Sequence, residues 1–294
     1  MWTGIELLFP LQDFRLANPI VETLFVILSS RVFYLVLPIL LATLFYWYVD
    51  KKQGEILAMG FVSSIVFSMC VKFGIAQPRP WQLDSGLIEP PQGTNSGGYA
   101  LPSGHTASVT SSLLPAALMT RKRMLSAALI VLTVLIVIGR LVLCAHTPLD
   151  VLAGITVGLA AVAIAWKVTD LTYDDDRRYI LANVAYAAVF TVLFVVTLTV
   201  WEGDVSDTLG YAGFMYGLVA ARIMDRLYLG YEVPDTTARK AAVGYVQGMI
   251  VGALLLLVPY YLIPTVGMMI GGMLMMLWGF FAYPALLSIH ACAR

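Results

Sequence analysis

The stretch "RMLSAALIVLTVLIVIG", residues 123–139, is apolar over most of the length that crosses a hydrocarbon layer, and stretches like it recur along the whole chain. A helix needs roughly 20 such residues to span a bilayer. Inside lipid, each backbone N–H and C=O must be satisfied within the protein, and a helix does this within one segment. The fold class this implies is all-α, a polytopic transmembrane helical bundle. Spanning helices are expected at about 32–49, 55–74, 103–120, 124–143, 148–168, 180–201, 207–226, 241–261 and 265–287. Two shorter pieces precede them, at about 4–15 and 18–30. The second is bounded by Arg15 and Arg31 and is read as an interfacial or re-entrant helix. No basic segment precedes an apolar core at the N-terminus, so no cleaved signal peptide is expected.

Composition narrows the function classes. Hydrophobic residues make up 60% and charged residues only 12%, with mean hydropathy +0.83. A soluble domain carries about 25% charged residues. The formal net charge is zero, so no basic surface points to a nucleic-acid partner. Cys70, Cys144 and Cys292 are scattered and odd in number, which argues against a disulfide framework or a zinc site.

The basic residues orient the spans. With the 50–54 turn placed in the cytoplasm, thirteen of the eighteen Lys and Arg residues fall inside, as the positive-inside rule requires. The five left outside are Arg15, Arg31, Lys72, Arg79 and Arg140. An exception to a charge bias needs a local reason. The polar stretch "DLTYDDDRRYI" at 169–179 is the natural boundary, dividing residues 1–170 from four further helices in 171–294. Those helices carry small-xxx-small spacings, Gly213 with Gly217 and Gly267 with Gly271, which let backbones approach closely. The cluster Met268, Met269, Met273, Met275 and Met276 reads as flexible packing, with no Cys or His beside it to suggest a metal.

Three of the five exceptions lie in or between three short motifs that share the outer face: "KFGIAQPRP" (Lys72, Arg79, Pro80), "PSGH" (Pro102–His105) and "GRLVLCAHTPLD" (Arg140, His146, Asp150). Cations near hydrocarbon require an anion close by. Asp84, Glu89 and Asp150 are few candidates for three cations. The planar fork of arginine and the point charge of lysine both suit phosphate. Ser103 and Gly104 stand where the helix from 103 begins, so its free N–H groups add half of an anion cradle, and Ser103 is also a natural N-cap. His146 precedes Asp150 by four, a spacing at which the carboxylate can fix the imidazole tautomer, although Pro148 suits a first-turn position and so places a helix start between them. With His105 on the same side, one histidine can attack and the other can move a proton. Taken singly, each residue has a plain structural explanation. The plain explanations do not account for three cations, two histidines and an aspartate on one face.

These motifs resemble the three-part signature of the type 2 phosphatidic-acid phosphatase superfamily: Lys-x6-Arg-Pro, Pro-Ser-Gly-His and Ser-Arg-x5-His-x3-Asp. The resemblance covers roughly residues 32–168 and implies a six-helix-type membrane phosphatase core. It implies that His146 is the nucleophile that becomes phosphohistidine, that Asp150 orients it, and that His105 protonates the leaving oxygen. Lys72, Arg79, Ser103, Gly104 and Arg140 are implied to hold the phosphate, with no metal and no cofactor. The implied substrate is a lipid phosphate or pyrophosphate, met at the extracytoplasmic side of the membrane bilayer. A phosphotransferase using the same histidine, or a transporter with a degenerate site, are the alternatives. One position departs from the signature: Gly139 stands where the family has serine. Gly139→Ser is expected to be tolerated and to strengthen phosphate binding modestly, unless glycine is there because two backbones touch.

Overall fold

The computed structural model describes residues 4–83, 88–90, 98–200 and 206–292, and every regular element among them is helical. A single 3₁₀ turn, Ile5–Leu8, leads into α1 (Phe9–Ala17) and α2 (Pro19–Leu28). A π-helical turn, Val32–Val36, opens α3 (Leu37–Tyr48), followed by α4 (Lys51–Ile75) and the four-residue α5 (Pro80–Leu83). Then come α6 (Gly104–Met119), α7 (Arg123–Val142), α8 (Pro148–Thr172), α9 (Asp176–Val200) and α10 (Ser206–Met224). The last three are α11 (Ala238–Leu262), α12 (Pro264–Leu277) and α13 (Tyr283–Cys292), with a π-helical turn at Trp278–Ala282 between α12 and α13.

A helix stands at each of the nine expected spans. Among the described residues, seven segments are long and apolar enough to cross a membrane. The 16-residue α6 and the 19-residue α10 are not among them. α6 is too short, and it is also polar: Thr106, Ser108, Thr110, Ser111 and Ser112 are all buried. Their hydroxyls find partners inside the bundle, Ser111 donating to the Ser64 hydroxyl at 2.8 Å and Ser108 to the Tyr34 carbonyl. The helix expected at 18–30 is α2, and little separates it from the helix that follows. Arg31 is itself helical, only Ser29 and Ser30 interrupt the path, and the apolar segment runs from Pro19 to Tyr48.

Two compact units emerge, and they interleave along the chain instead of dividing at residue 170. One comprises residues 1–39 and 63–164, the other 40–62 and 165–294. In the first unit, α1 and α2 pack on α7, and α6 packs on α7. Gly154 and Gly158 seat α8 directly on α6: a Cβ at Gly154 would lie 2.6 Å from the Ser103 carbonyl oxygen, and one at Gly158 2.0 Å from Thr110 Oγ1. The same spacing that brings α10 onto α12 in the second unit thus operates here. There, a Cβ at Gly213 would lie 2.0 Å from the Met269 carbonyl oxygen and one at Gly217 2.5 Å from that of Met273. The expected packing role of Gly213, Gly217 and the methionines is what the structure contains.

The second unit is held at one end by buried charge. Arg222 donates through Nη2 to Glu55 at 2.9 Å and through Nη1 to Asn183 at 2.9 Å, while the Tyr179 hydroxyl donates to Glu55 at 2.8 Å. Lys51 pairs with Asp225, and Lys52 with Asp170 at 2.8 Å. The turn at 50–54, the 169–179 segment and the segment after α10 therefore lie at one end of this unit, as alternating spans require.

Candidate active site

The three motifs meet in the first unit, and local chain geometry explains each spacing. At the end of α4 the chain turns through Ala76, whose φ of 54° is left-handed and whose N–H bonds the Lys72 carbonyl at 2.8 Å. That turn sends Gln77 and Arg79 back toward the helix end. At the end of α7, Cys144 adopts φ 50°, and the backbone N–H of His146 reaches the Arg140 carbonyl at 3.3 Å. The five-residue interval between Arg140 and His146 is thus one tight reversal that stacks the two residues. Left-handed conformation costs a non-glycine residue roughly 1–2 kcal/mol. Both turns carry that cost beside the site.

α6 begins at Gly104 with Ser103 as N-cap: Ser103 Oγ accepts from the Thr106 N–H at 3.5 Å and the Thr106 hydroxyl at 3.0 Å. The Ser103 N–H donates to the Asp150 carbonyl at 2.9 Å, which ties the start of α6 to the start of α8. A side chain at Gly104 would meet the Lys72 stem at 3.9 Å, so Lys72 stands beside the N-terminus of α6. Its ammonium donates to the Tyr99 carbonyl at 2.8 Å.

His146 lies at the centre, 1% exposed. Arg79 Nη1 is 2.9 Å from His146 Nε2. Guanidinium only donates, so Nε2 accepts through its lone pair, and the ring proton of neutral His146 sits on Nδ1. Arg79 also donates to the carbonyls of Ala145 at 2.9 Å and Gly98 at 3.1 Å. Burial, then the cations Arg79, Arg140 and Lys72 and the nearby His105, hold the His146 pKa well below the usual imidazole value. At neutral pH Nε2 is therefore unprotonated and its lone pair is engaged by Arg79.

The expected His146–Asp150 bond is replaced by a looser contact. Nδ1 is 3.6 Å from Asp150 Oδ2 and has no hydrogen-bond partner. The physical reason is a competing claim on the carboxylate. Asp150 Oδ2 accepts from the Thr147 N–H at 2.7 Å, and the Asp150 N–H returns to Thr147 Oγ1 at 3.3 Å. This is a capping box at the start of α8, of the Thr-x-x-acid type. Asp150 Oδ1 accepts from Gln77 at 3.1 Å.

His105 Nε2 lies 2.9 Å from the Ser29 carbonyl, which can only accept, so Nε2 bears hydrogen. Its ring packs against Tyr34 at 4.0 Å between centroids. Arg140 is 2% exposed, and its Nε and Nη1 have no partner. Among the described residues, Lys72, Arg79 and Arg140 against the carboxylate of Asp150 leave a formal charge near +2, which matches the roughly −2 of a phosphomonoester.

Residues 55–173 match the family model of the PAP2 superfamily. The matched stretch is similar to a type 2 phosphatidic-acid phosphatase superfamily core. The match contains every motif named above, and it supports a phosphoric ester hydrolase in general terms. No curated protein and no solved structure matches the chain.

All eight sequence-selected residues gather at this place. Sequence reasoning missed Gln77, Ser29, Tyr34 and Thr147. Only Thr147 had a readable local signal, the Thr-x-x-Asp box. Asp84, one of the candidate anions, lies outside the described residues, as do 85–87 and 91–97.

The reading of Gly139 needs correction. A Cβ there would lie 2.6 Å from Cδ1 of the buried Phe25 ring on α2. The glycine admits α2 onto α7, and a serine does not fit without displacing the ring.

Proposed function

We propose that the chain is an integral membrane phosphatase that hydrolyses a lipid phosphate or pyrophosphate at the extracytoplasmic face, without metal, through phosphohistidine at His146. The observation that carries this is Arg140: a buried guanidinium with two unpartnered nitrogens, beside an imidazole whose unprotonated Nε2 is held by Arg79. An unpaired buried cation is costly unless an anion completes it. A phosphoryl group between Arg140 and His146 satisfies both.

In the proposed reaction, Arg79 moves its N–H from His146 Nε2 to a phosphate oxygen. Nε2 then attacks phosphorus, and the bond to the leaving oxygen breaks. His105 enters this step protonated on both nitrogens, with Nε2–H on the Ser29 carbonyl and the second proton delivered to Nδ1 by the phosphomonoester, and the leaving oxygen takes that Nδ1 proton. His105 next takes a proton from water as the water oxygen attacks phosphorus. The N–P bond breaks, phosphate departs and His146 returns to its neutral form. Lys72, Arg79, Arg140, Ser103 and the α6 N-terminus stabilise the equatorial oxygens as charge redistributes. The charge imbalance of the site stands in for a metal. Lipid as substrate rests on the membrane setting of the site, and the outward face rests on the basic-residue asymmetry.

The test is phosphate release from phosphatidate by the purified full chain, with EDTA present. Wild type should release phosphate and trap acid-labile label in rapid quench, and His146→Ala should do neither. Full activity in His146→Ala, or activity that vanishes in EDTA and returns with magnesium, overturns the mechanism. Transfer of label to a second lipid with no release to water would identify a phosphotransferase.

A further inference from the structure

Far along the sequence from the phosphatase motifs, a cleft of about 830 Å³ opens on the second unit, lined by the end of α3, the 234–236 segment, the start of α11 and α13. Its lining is divided by chemistry. Arg239, Lys240 and the phenols of Tyr48 and Tyr283 make the polar part, and Val243 and Leu286 make the apolar wall. The phenols are seated by Gly244, where a Cβ would come within 2.7 Å of the Tyr48 hydroxyl and 3.0 Å of the Tyr283 hydroxyl. Tyr283 donates to the Gly244 carbonyl at 2.5 Å. Tyrosines with one end wet belong at the headgroup level of a bilayer.

The charges distinguish this cleft from the rest of that unit end. Lys51, Lys52, Arg222 and Arg226 are each paired with a carboxylate. Arg239 and Lys240 are exposed and have no carboxylate partner among the described residues. Asp235 also lines the cleft, so two unpaired cations stand against one carboxylate. Below the mouth, α11 presents an apolar track at helical spacing: Val243, Val246, Ile250 and Leu254 are 52%, 57%, 55% and 55% exposed. A soluble anion has no use for that track. A neutral lipid has no use for the two cations.

We propose that this cleft binds an anionic phospholipid, with its headgroup phosphate against Arg239 and Lys240 and an acyl chain along Val243, Val246, Ile250 and Leu254. The site shares no residue with the phosphatase reading. Its ligand, a phosphodiester lipid, is not a substrate for phosphomonoester hydrolysis.

The experiment titrates the full chain, in neutral detergent, with diacyl phosphatidylglycerol, phosphatidylcholine or inorganic phosphate, and reads bound lipid by native mass spectrometry and stability by thermal shift. Phosphatidylglycerol should bind more tightly than phosphatidylcholine and stabilise more than phosphate alone. R239Q/K240Q should weaken phosphatidylglycerol binding roughly 30-fold, the combined effect of two interfacial cations, and leave phosphate release unchanged. R239K/K240R, which keeps the charge, should restore binding, and about 1 M salt should narrow the preference over phosphatidylcholine. His146→Ala should bind phosphatidylglycerol as wild type does, which separates this site from the catalytic one. Equal binding of the two lipids, an undiminished preference in R239Q/K240Q, or equal stabilisation by inorganic phosphate overturns the proposal.

Discussion

Gly139→Ser should destabilise the protein, although the substitution restores the residue the family signature carries. The new Cβ would sit 2.6 Å from Phe25 Cδ1 and 3.3 Å from Cγ and Cε1, inside contact distance on one whole edge of the ring. Phe25 is 8% exposed, so the ring has little room to move aside. Overpacking of this kind costs about 1–3 kcal/mol. The hydroxyl gained could return at most about 0.5–1.5 kcal/mol as a new hydrogen bond. The clash wins over most of that range, and a melting temperature lower by roughly 2–10 °C is expected in detergent. Catalysis should suffer with it, through kcat. α2 ends one residue before Ser29, whose carbonyl holds His105 at 2.9 Å, so pushing α2 off α7 disturbs the proposed proton donor. The control is the same substitution in a Phe25→Leu background. If the ring is the cause, Gly139→Ser should cost less there, with a coupling of about 0.5–3 kcal/mol. Wild-type stability with a lowered KM in Gly139→Ser, or an equal cost in both backgrounds, refutes the reasoning.

Three further outcomes are expected. Because burial and the surrounding cations hold the His146 pKa low, the unfolded chain gains a proton below about pH 6.5 that the folded ring refuses, so this group costs stability as pH falls and nothing above that range. The melting-temperature difference between wild type and His146→Asn should therefore move against wild type from about pH 7.5 to pH 5, and a move in its favour contradicts the placement of the ring. Glu55→Ala strands the buried Arg222 guanidinium and should cost about 3–5 kcal/mol, whereas Glu55→Met with Arg222→Met should cost much less; equal losses in thermal unfolding would mean that the charge is not the issue. Ala76→Gly relieves a left-handed alanine and should stabilise by about 1 kcal/mol or less after the extra chain entropy of glycine, so a lower melting temperature would show that φ at 76 is not strained.

What the sequence made legible was what depends on short range. Apolar run length located the helices, Ser103 and Pro148 marked two helix starts, and glycine spacing marked α10 and α12 as closely packed helices without naming their partners. The same spacing at Gly154 and Gly158 was equally readable, and it is what sets α8, with Asp150 at its start, against Ser103. Phe25 over Gly139 and the Ser29 carbonyl on His105 were not readable, because both come from a helix distant in sequence and one is a backbone atom without residue identity. Nor could run length reveal that residues 40–62 join the later unit, since that follows from the partners of Glu55 and Trp47, not from hydropathy.

Asp150 shows how a correct local rule can hide another. The i,i+4 spacing to His146 and the Thr-x-x-Asp capping box compete for one carboxylate, and the box wins because its donor is a backbone N–H fixed by the helix start. A carboxylate oxygen has two lone-pair directions, so the box does not bar a second donor. The 3.6 Å gap to Nδ1 belongs to a neutral imidazole, which offers only a weakly polarised N–H. Phosphoryl transfer to Nε2 makes the ring cationic, and attraction to a carboxylate in a poorly screened interior then rises steeply as the gap closes. On the phosphohistidine reading, Asp150 first orders the start of α8 and then stabilises His146 as charge appears on it, which places its electrostatic contribution in the transition state and intermediate more than in the resting site.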